Sequence, residues 1–120
     1  MDSASVLRDV LSGLGYIVYR DQANITPEKT PASYLIYRKI SEKDFVAHGG
    51  RIGLDRCRFQ ITHVSDGLVN REAMVQAVKS ALLGNKTNFN AVEATEIHIE
   101  DKEADKVFTA VKDYLIWFKE

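Results

Sequence analysis

Apolar positions recur along this chain with two different periods, and the changes of period mark its elements. Between Ser3 and Ser12 the residues Val6, Leu7, Val10 and Leu11, with Leu14 beyond, fall at helical spacing. This predicts a short helix with Ser3 as N-cap and Gly13 or Gly15 as its stop. A helix so short buries little alone and must rest on other elements. Tyr16 to Tyr19 reads as a short strand, and Arg20 to Ala32, with Pro27 and Pro31, as a semi-extended surface connection. Ser33 to Ser41 is a strand by residue preference. Glu42 to Gly50 starts polar and ends in two glycines, which predicts a mobile hairpin tip. Phe45 and Val46 are unusual in a solvated loop; either they fold back onto the sheet or they touch another chain.

The strand from Arg51 to Val64 is the clearest element. Cys57, Phe59, Ile61 and His63 alternate with Arg56, Arg58, Gln60 and Thr62, the pattern of a strand with one buried face. Ser65 to Gly84 reads as a long helix. Met74, Ala77, Val78, Ala81 and Leu82 lie on one arc and Glu72, Gln76 and Lys79 on the other, with Ser65, Asp66 or Asn70 as cap. Val92 to Glu100 is a strand with Thr95, Ile97 and Ile99 opposed to Glu96, His98 and Glu100. Asp101 to Lys106 is a charged turn, and Val107 to Lys119 is the last strand. The end of that strand, Tyr114 to Phe118, is apolar on both sides, so it needs a second cover from the N-terminal helix or from another subunit. The expectation is an α+β fold in a single domain spanning residues 1–120. A mainly antiparallel sheet of four to five strands, built from two hairpins, packs against a long central helix and a short N-terminal helix. The expected core is Val10, Leu35, Tyr37, Phe59, Ile61, Val78, Leu82, Ile97, Val111 and Leu115.

Composition narrows the function classes. With 120 residues and a net charge of −1, the chain is sized for one core and lacks the basic excess of a general nucleic-acid or anionic-membrane binder. No apolar run approaches the roughly 18 residues of a membrane span, and the N-terminus lacks the regions of a signal peptide. Cys57 is the one cysteine, which excludes a disulfide framework and a cysteine-based zinc cluster and fits a buried thiol in a reducing cytoplasm.

Catalytic chemistry is not signalled. His48, His63 and His98 match no metal-ligand spacing, and His63 on the apolar side reads as a hydrogen-bonded core residue. In His63-Val-Ser-Asp66 the side chains point apart and no strained turn presents the serine, so helix capping explains it better. The glycines at 13, 15, 49 and 50 lack the strand-then-helix setting of a phosphate loop. The expectation is no catalytic residue, no metal and no cofactor.

Charge is segregated. Arg51, Arg56 and Arg58 share one strand, whereas Glu93, Glu96, Glu100, Asp101, Glu103 and Asp105 cluster near the second hairpin. Cross-strand pairs within one sheet account for this; so does complementarity between opposite ends, as head-to-tail assembly requires.

The ordered set of elements resembles the tail-completion and tail-terminator proteins of tailed bacteriophages, which close the tail tube and join it to the head. The resemblance spans nearly the whole chain. It is carried by the small and aliphatic N-terminal helix and by Pro31-Ala-Ser-Tyr-Leu-Ile-Tyr-Arg-Lys-Ile-Ser41 after a proline-containing loop. A polar hairpin follows, then Arg56-Cys-Arg-Phe-Gln60, a helix with Ala73, Ala77, Val78 and Leu82, and Asp113 before Tyr114-Leu-Ile-Trp-Phe118. It implies a virion protein of the tail or neck, assembled in the host cytoplasm as a hexameric ring. That ring would stack on tail-tube protein on one side and meet head-completion proteins on the other, with no membrane partner. It would read no nucleic-acid sequence, although DNA would pass through it. Candidate interface residues are Phe45, Val46, Arg51, Arg56, Arg58, Glu96, Glu100, Asp101, Glu103 and Trp117. The rival readings are a small-ligand-binding or regulatory α+β domain, which needs a pocket the sequence does not mark, a small enzyme, and another neck component.

Overall fold

The computed structural model describes residues 3–21, 33–47, 50–102 and 107–119. In chain order the elements are α1 (Ser3–Ser12), β1 (Ile17–Arg20), β2 (Ser33–Ala47), β3 (Gly50–Ser65), α2 (Leu68–Leu83), β4 (Phe89–Lys102) and β5 (Val107–Lys119). The α+β class follows. Most of the expected connection from Arg20 to Ala32 lies outside the described residues. At its start Asp21 adopts φ 65, and its N–H donates to the Tyr37 carbonyl at 2.9 Å. A short polar side chain tolerates that left-handed conformation.

The five strands form one sheet in the order β1-β2-β3-β5-β4. β2, β3, β5 and β4 pair antiparallel, but β1 runs parallel to β2, with Ile17 opposite Tyr34 and Arg20 opposite Tyr37. The sheet is therefore mixed, not antiparallel to both edges. A parallel neighbour needs a connection of about a dozen residues or more, the length of chain that separates Arg20 from Ser33. β3 lies at the centre, where the β2–β3 hairpin pairs with the β4–β5 hairpin.

The expected loop from Glu42 to Gly50 is largely strand. β2 runs on through Ala47 and β3 begins at Gly50, with Asp44 opposite Asp55 and Val46 opposite Arg51. Phe45 and Val46 favour extended backbone and outweigh the polar start of the segment. β5 accompanies β3 only as far as the pair Leu54 and Lys119. The hairpin from Gly50 to Gly53 thus projects past the sheet, and the molecule is 57 Å long against 24 and 21 Å across.

Both helices cover the same face. Ala4, Leu7 and Leu11 of α1 and Met74, Val78 and Leu82 of α2 form one cluster with Leu35, Tyr37, Cys57, Phe59 and Ile61 of the sheet. Phe89 and Phe59 each meet Phe118 edge-on, at centroid distances of 5.2 and 6.1 Å. Six of the ten expected core residues are buried here, and Val10 packs partly against the cluster. The Ile97 side chain lies outside the described residues. Val111 and Leu115 are corrections: the inward positions of β5 are Ala110, Tyr114, Ile116 and Phe118, and the odd-numbered residues face away. In β4 a register shift between Glu96 and His98 breaks the expected alternation. Thr95 opposite Asp113 and His98 opposite Val111 therefore share one face.

α2 begins at Leu68, with Gly67 in extended conformation as its N-cap and no side-chain cap. None of the expected caps Ser65, Asp66 and Asn70 serves as one: the Ser65 hydroxyl meets that of Ser33 at 3.0 Å across β2 and β3 and accepts the Gly67 N–H at 3.4 Å. Gly84 ends the helix with φ −85, so it is not there for a left-handed turn. It is there for space: a Cβ would stand 2.8 Å from the Ser80 carbonyl oxygen.

Candidate interaction surface

Among the described residues no helix lies on the second face of the sheet. β3 presents Arg56, Arg58, Gln60, Thr62 and Val64 there. Register places Thr109, Val111, Asp113, Leu115 and Trp117 of β5 beside them, and Tyr34, Ile36 and Arg38 of β2 on the other flank. Tyr19 of β1 meets Tyr34 edge-on at 5.8 Å. Across these central strands the face mixes aromatic, aliphatic and arginine side chains with Gln60, Thr62, Thr109 and Asp113, and by register Lys43 stands opposite Arg56 and Glu93 opposite Leu115. Tyrosine, tryptophan and arginine are the residue types enriched at the buried centre of protein interfaces, and Tyr34, Trp117, Arg38, Arg56 and Arg58 supply them here. The N-terminal helix does not supply the cover that the last strand lacks, since α1 lies against α2 and β1 on the opposite face.

Arg58 and Asp113 hold the middle of this surface. The Arg58 Nε donates to Asp113 Oδ2 at 2.8 Å, and Nη2 bonds the same oxygen. The carboxylate is nearly buried and the guanidinium half exposed. Beside them a depression of about 220 Å³ is lined by Arg58, Glu93, Thr95, Asp113 and Leu115. Small-molecule sites usually start near 300 Å³ and are mainly apolar and aromatic, so this one suits a single protein side chain better than a free ligand.

A second polar constellation closes the end of the domain away from the projecting hairpin. Arg71, in the first turn of α2, is buried, and its Nη2 donates to Glu72 Oε1 at 2.6 Å. Its Nη1 bonds Asp101 near the end of β4. The buried cation ties helix to hairpin, while both carboxylates keep partial access to water. Nearby on β4, Glu100 pairs with Lys102 at 3.4 Å and His98 at 3.5 Å. The His98 contact and then the lysine lower its carboxyl pKa.

Two polar groups are sealed in the core. His63 Nδ1 donates to the Ala110 carbonyl at 2.9 Å, which leaves Nε2 with no partner among the described residues. Burial pushes its pKa down to about 4, outweighing the bond to Ala110, and the charge of Lys112 lowers it further. Tyr114 is also fully buried; its hydroxyl finds no partner among the described residues, and desolvation raises it to about 12. Neither atom opens onto a surface, so both are structural. Among the described residues no three His, Cys, Asp or Glu side chains gather as a metal site.

Of the residues singled out from the sequence, Arg56, Arg58 and Trp117 meet on the uncovered face, with Arg56 opposite Trp117 in register. Phe45, Val46 and Arg51 lie on the projecting hairpin and Glu96 on β4, all with side chains outside the described residues. Glu100 and Asp101 lie at the far end, and Glu103 is outside the described residues. The arginine and acidic clusters do not pair across adjacent strands, because β5 separates β3 from β4, although Arg58 and Glu93 line one depression across Leu115. Arg58 takes Asp113 and Asp101 takes Arg71 instead. Sequence reasoning missed Asp113, Leu115, Tyr34 and Arg38 as surface residues. One signal was available: Asp113 has the same parity as Leu115 and Trp117.

No family model matches the sequence, and no curated protein matches it. Among solved structures, a chain from the virion of a native gene transfer agent particle is similar to this one, with a TM-score of 0.47 and 18% identity over 98% of this chain and 84% of that chain.

Proposed function

We propose that the protein is a structural virion component of a tailed phage, which caps the tail tube as a ring and joins the tail to the head. The observation that carries the assembly role is the uncovered sheet face, with Trp117, Leu115, Tyr34 and Arg58 on it and both helices on the other side. A domain of this size that leaves such a face bare is built to bury it against another chain. The resemblance of the stretches from Pro31 to Ser41 and from Asp113 to Phe118 to tail-completion proteins supports the tail role. In this reading the chain is no enzyme and needs no cofactor; its partners are copies of itself, tail-tube protein and neck proteins.

The test is made on particles. Tails assembled without the protein should be abnormal in length or fail to attach to heads in electron micrographs. Normal tails on filled heads would overturn the assignment.

A further inference from the structure

We infer that the bare sheet face of one copy receives helix α2 of the next, so that copies join head to tail with sheet and helix layers alternating. The inference rests on the self-assembly proposed above and names the surfaces that meet.

The first observation is the outward side of α2. Val69, Ala73, Gln76, Ser80 and Leu83 follow one another at helical spacing, and all are exposed, Val69 at 80%. The helix has three charged residues in all. Arg71 is buried, Lys79 is half-buried, and Glu72 alone is exposed. A helix covering a sheet normally turns a charged side to water, and this one turns a row of aliphatic, small and uncharged polar residues there. Small side chains in that row let a helix approach a partner closely.

The second observation is the sheet face already described, which lies on the far side of the same two-layer domain. Sheet against sheet would cover one of these surfaces and leave the helix bare. Unlike surfaces pairing copy to copy cover both, and a heterologous contact of this kind generates a ring when its rotation closes. Charge does not oppose it: Arg38 reaches water on the sheet face, while Arg58 and Glu72 are already paired within the chain, with Asp113 and Arg71.

Size agrees as well. At 1.5 Å per residue α2 is about 24 Å long, and five strands about 4.8 Å apart span a similar width. With α1 alongside, the two-helix layer covers on the order of 500 Å² per copy. The total of roughly 1,000 Å² is at the low end for a specific interface. Such a contact is weak between two free molecules and is reinforced when a ring closes or a tube templates it.

Cross-linking captures weak contacts. Gln76→Cys on α2 and Thr62→Cys at the centre of the sheet face are made separately, in chains whose own Cys57 is fully buried. A short thiol-reactive bifunctional reagent is added to each variant and to their mixture at one total concentration. The mixed pair should link several times faster than either variant with itself, and a chain carrying both cysteines should give a ladder of multimers. Adding Ala73→Arg should slow the mixed reaction while circular dichroism stays unchanged. Faster self-linking of Thr62→Cys would replace the inference with a sheet-to-sheet dimer, and equal rates for all pairs would remove it. If these results fail while particles still require the protein, the tail reading stands without this contact. A ladder together with normal tails in the protein's absence would leave the contact standing and remove the tail reading.

Discussion

Arg58 on β3 grips Asp113 on β5 one step off register, since Arg58 lies opposite Leu115 and Asp113 opposite Gln60. The pair is unequal in its access to water: the aspartate side chain is 9% exposed and the arginine 53%. Replacing one partner therefore differs from replacing the other. Arg58→Ala strands a carboxylate that water hardly reaches and should cost about 1–3 kcal/mol. Asp113→Ala leaves a guanidinium that water solvates, and should cost about 1 kcal/mol or less, as exposed ion pairs do. Urea unfolding of both variants decides it; equal losses would mean that the carboxylate is as well hydrated as its partner.

His63 gives the fold a dependence on pH. Its folded pKa is lowered from 6.5 to about 4, mainly by burial. Above about pH 6.5 the ring is neutral in both folded and unfolded chains and contributes no slope. Between about 6.5 and 4 the unfolded chain takes up a proton that the folded chain refuses, so stability falls with pH by about 3 kcal/mol in all. Below about 4 the folded ring is protonated as well and its share of the loss stops growing. His63→Gln keeps a donor for the Ala110 carbonyl but cannot titrate, so its stability should decline less over that interval. Parallel profiles for the two proteins would show that the imidazole is not the cause.

The phase of β3 was legible because helices cover one side of it and the other carries polar residues as well as arginines. Cys57, Phe59, Ile61 and His63 could then be assigned without a structure. β5 defeated the same reasoning. Tyr114, Ile116 and Phe118 point inward while Leu115 and Trp117, equally apolar, point out, and Lys112 sits in the inward phase. Two apolar sides carry no parity signal, and the outward face of β5 was hidden for that reason. The bulge in β4 inverts a pattern that looked regular, and the parallel β1 depends on the return of the chain, which residue preferences do not encode. α1 was legible from period, and α2 from period and its closing glycine, although it starts at Leu68 and not at Ser65. The row from Val69 to Leu83 was not, because an expected solvent side draws attention only to its charges.

Two core substitutions should have opposite consequences. Phe59 is fully buried and meets Phe118 edge-on. Phe59→Ala should destabilise by about 3–5 kcal/mol through lost burial and the cavity left behind. Tyr114 is as deeply placed, yet its hydroxyl has no partner among the described residues. Removing it in Tyr114→Phe abolishes an uncompensated desolvation cost and should be neutral or stabilise by about 1 kcal/mol. Chemical denaturation reads both. A marked loss in Tyr114→Phe would reveal a partner for that oxygen.

The uncovered face separates stability from assembly. Leu115 and Trp117 lie half-buried between the side chains of β3 and β4, outside the core cluster. Leu115→Ser and Trp117→Ala remove apolar area that is only partly hidden in the free chain, so each should lower folding stability by about 1–2 kcal/mol. In the proposed particle the same side chains form the centre of an interface, where truncating an aromatic anchor can cost 2 kcal/mol or more, ~30-fold in affinity, at each contact. A ring repeats that loss at every joint. Purified Trp117→Ala should therefore melt as a folded protein while being absent from tails assembled in its presence. Thermal unfolding of the free chain and quantitative mass spectrometry of purified particles measure the two effects separately. Incorporation of Trp117→Ala at the level of the unaltered protein would show that this face is not what holds the protein in the tail.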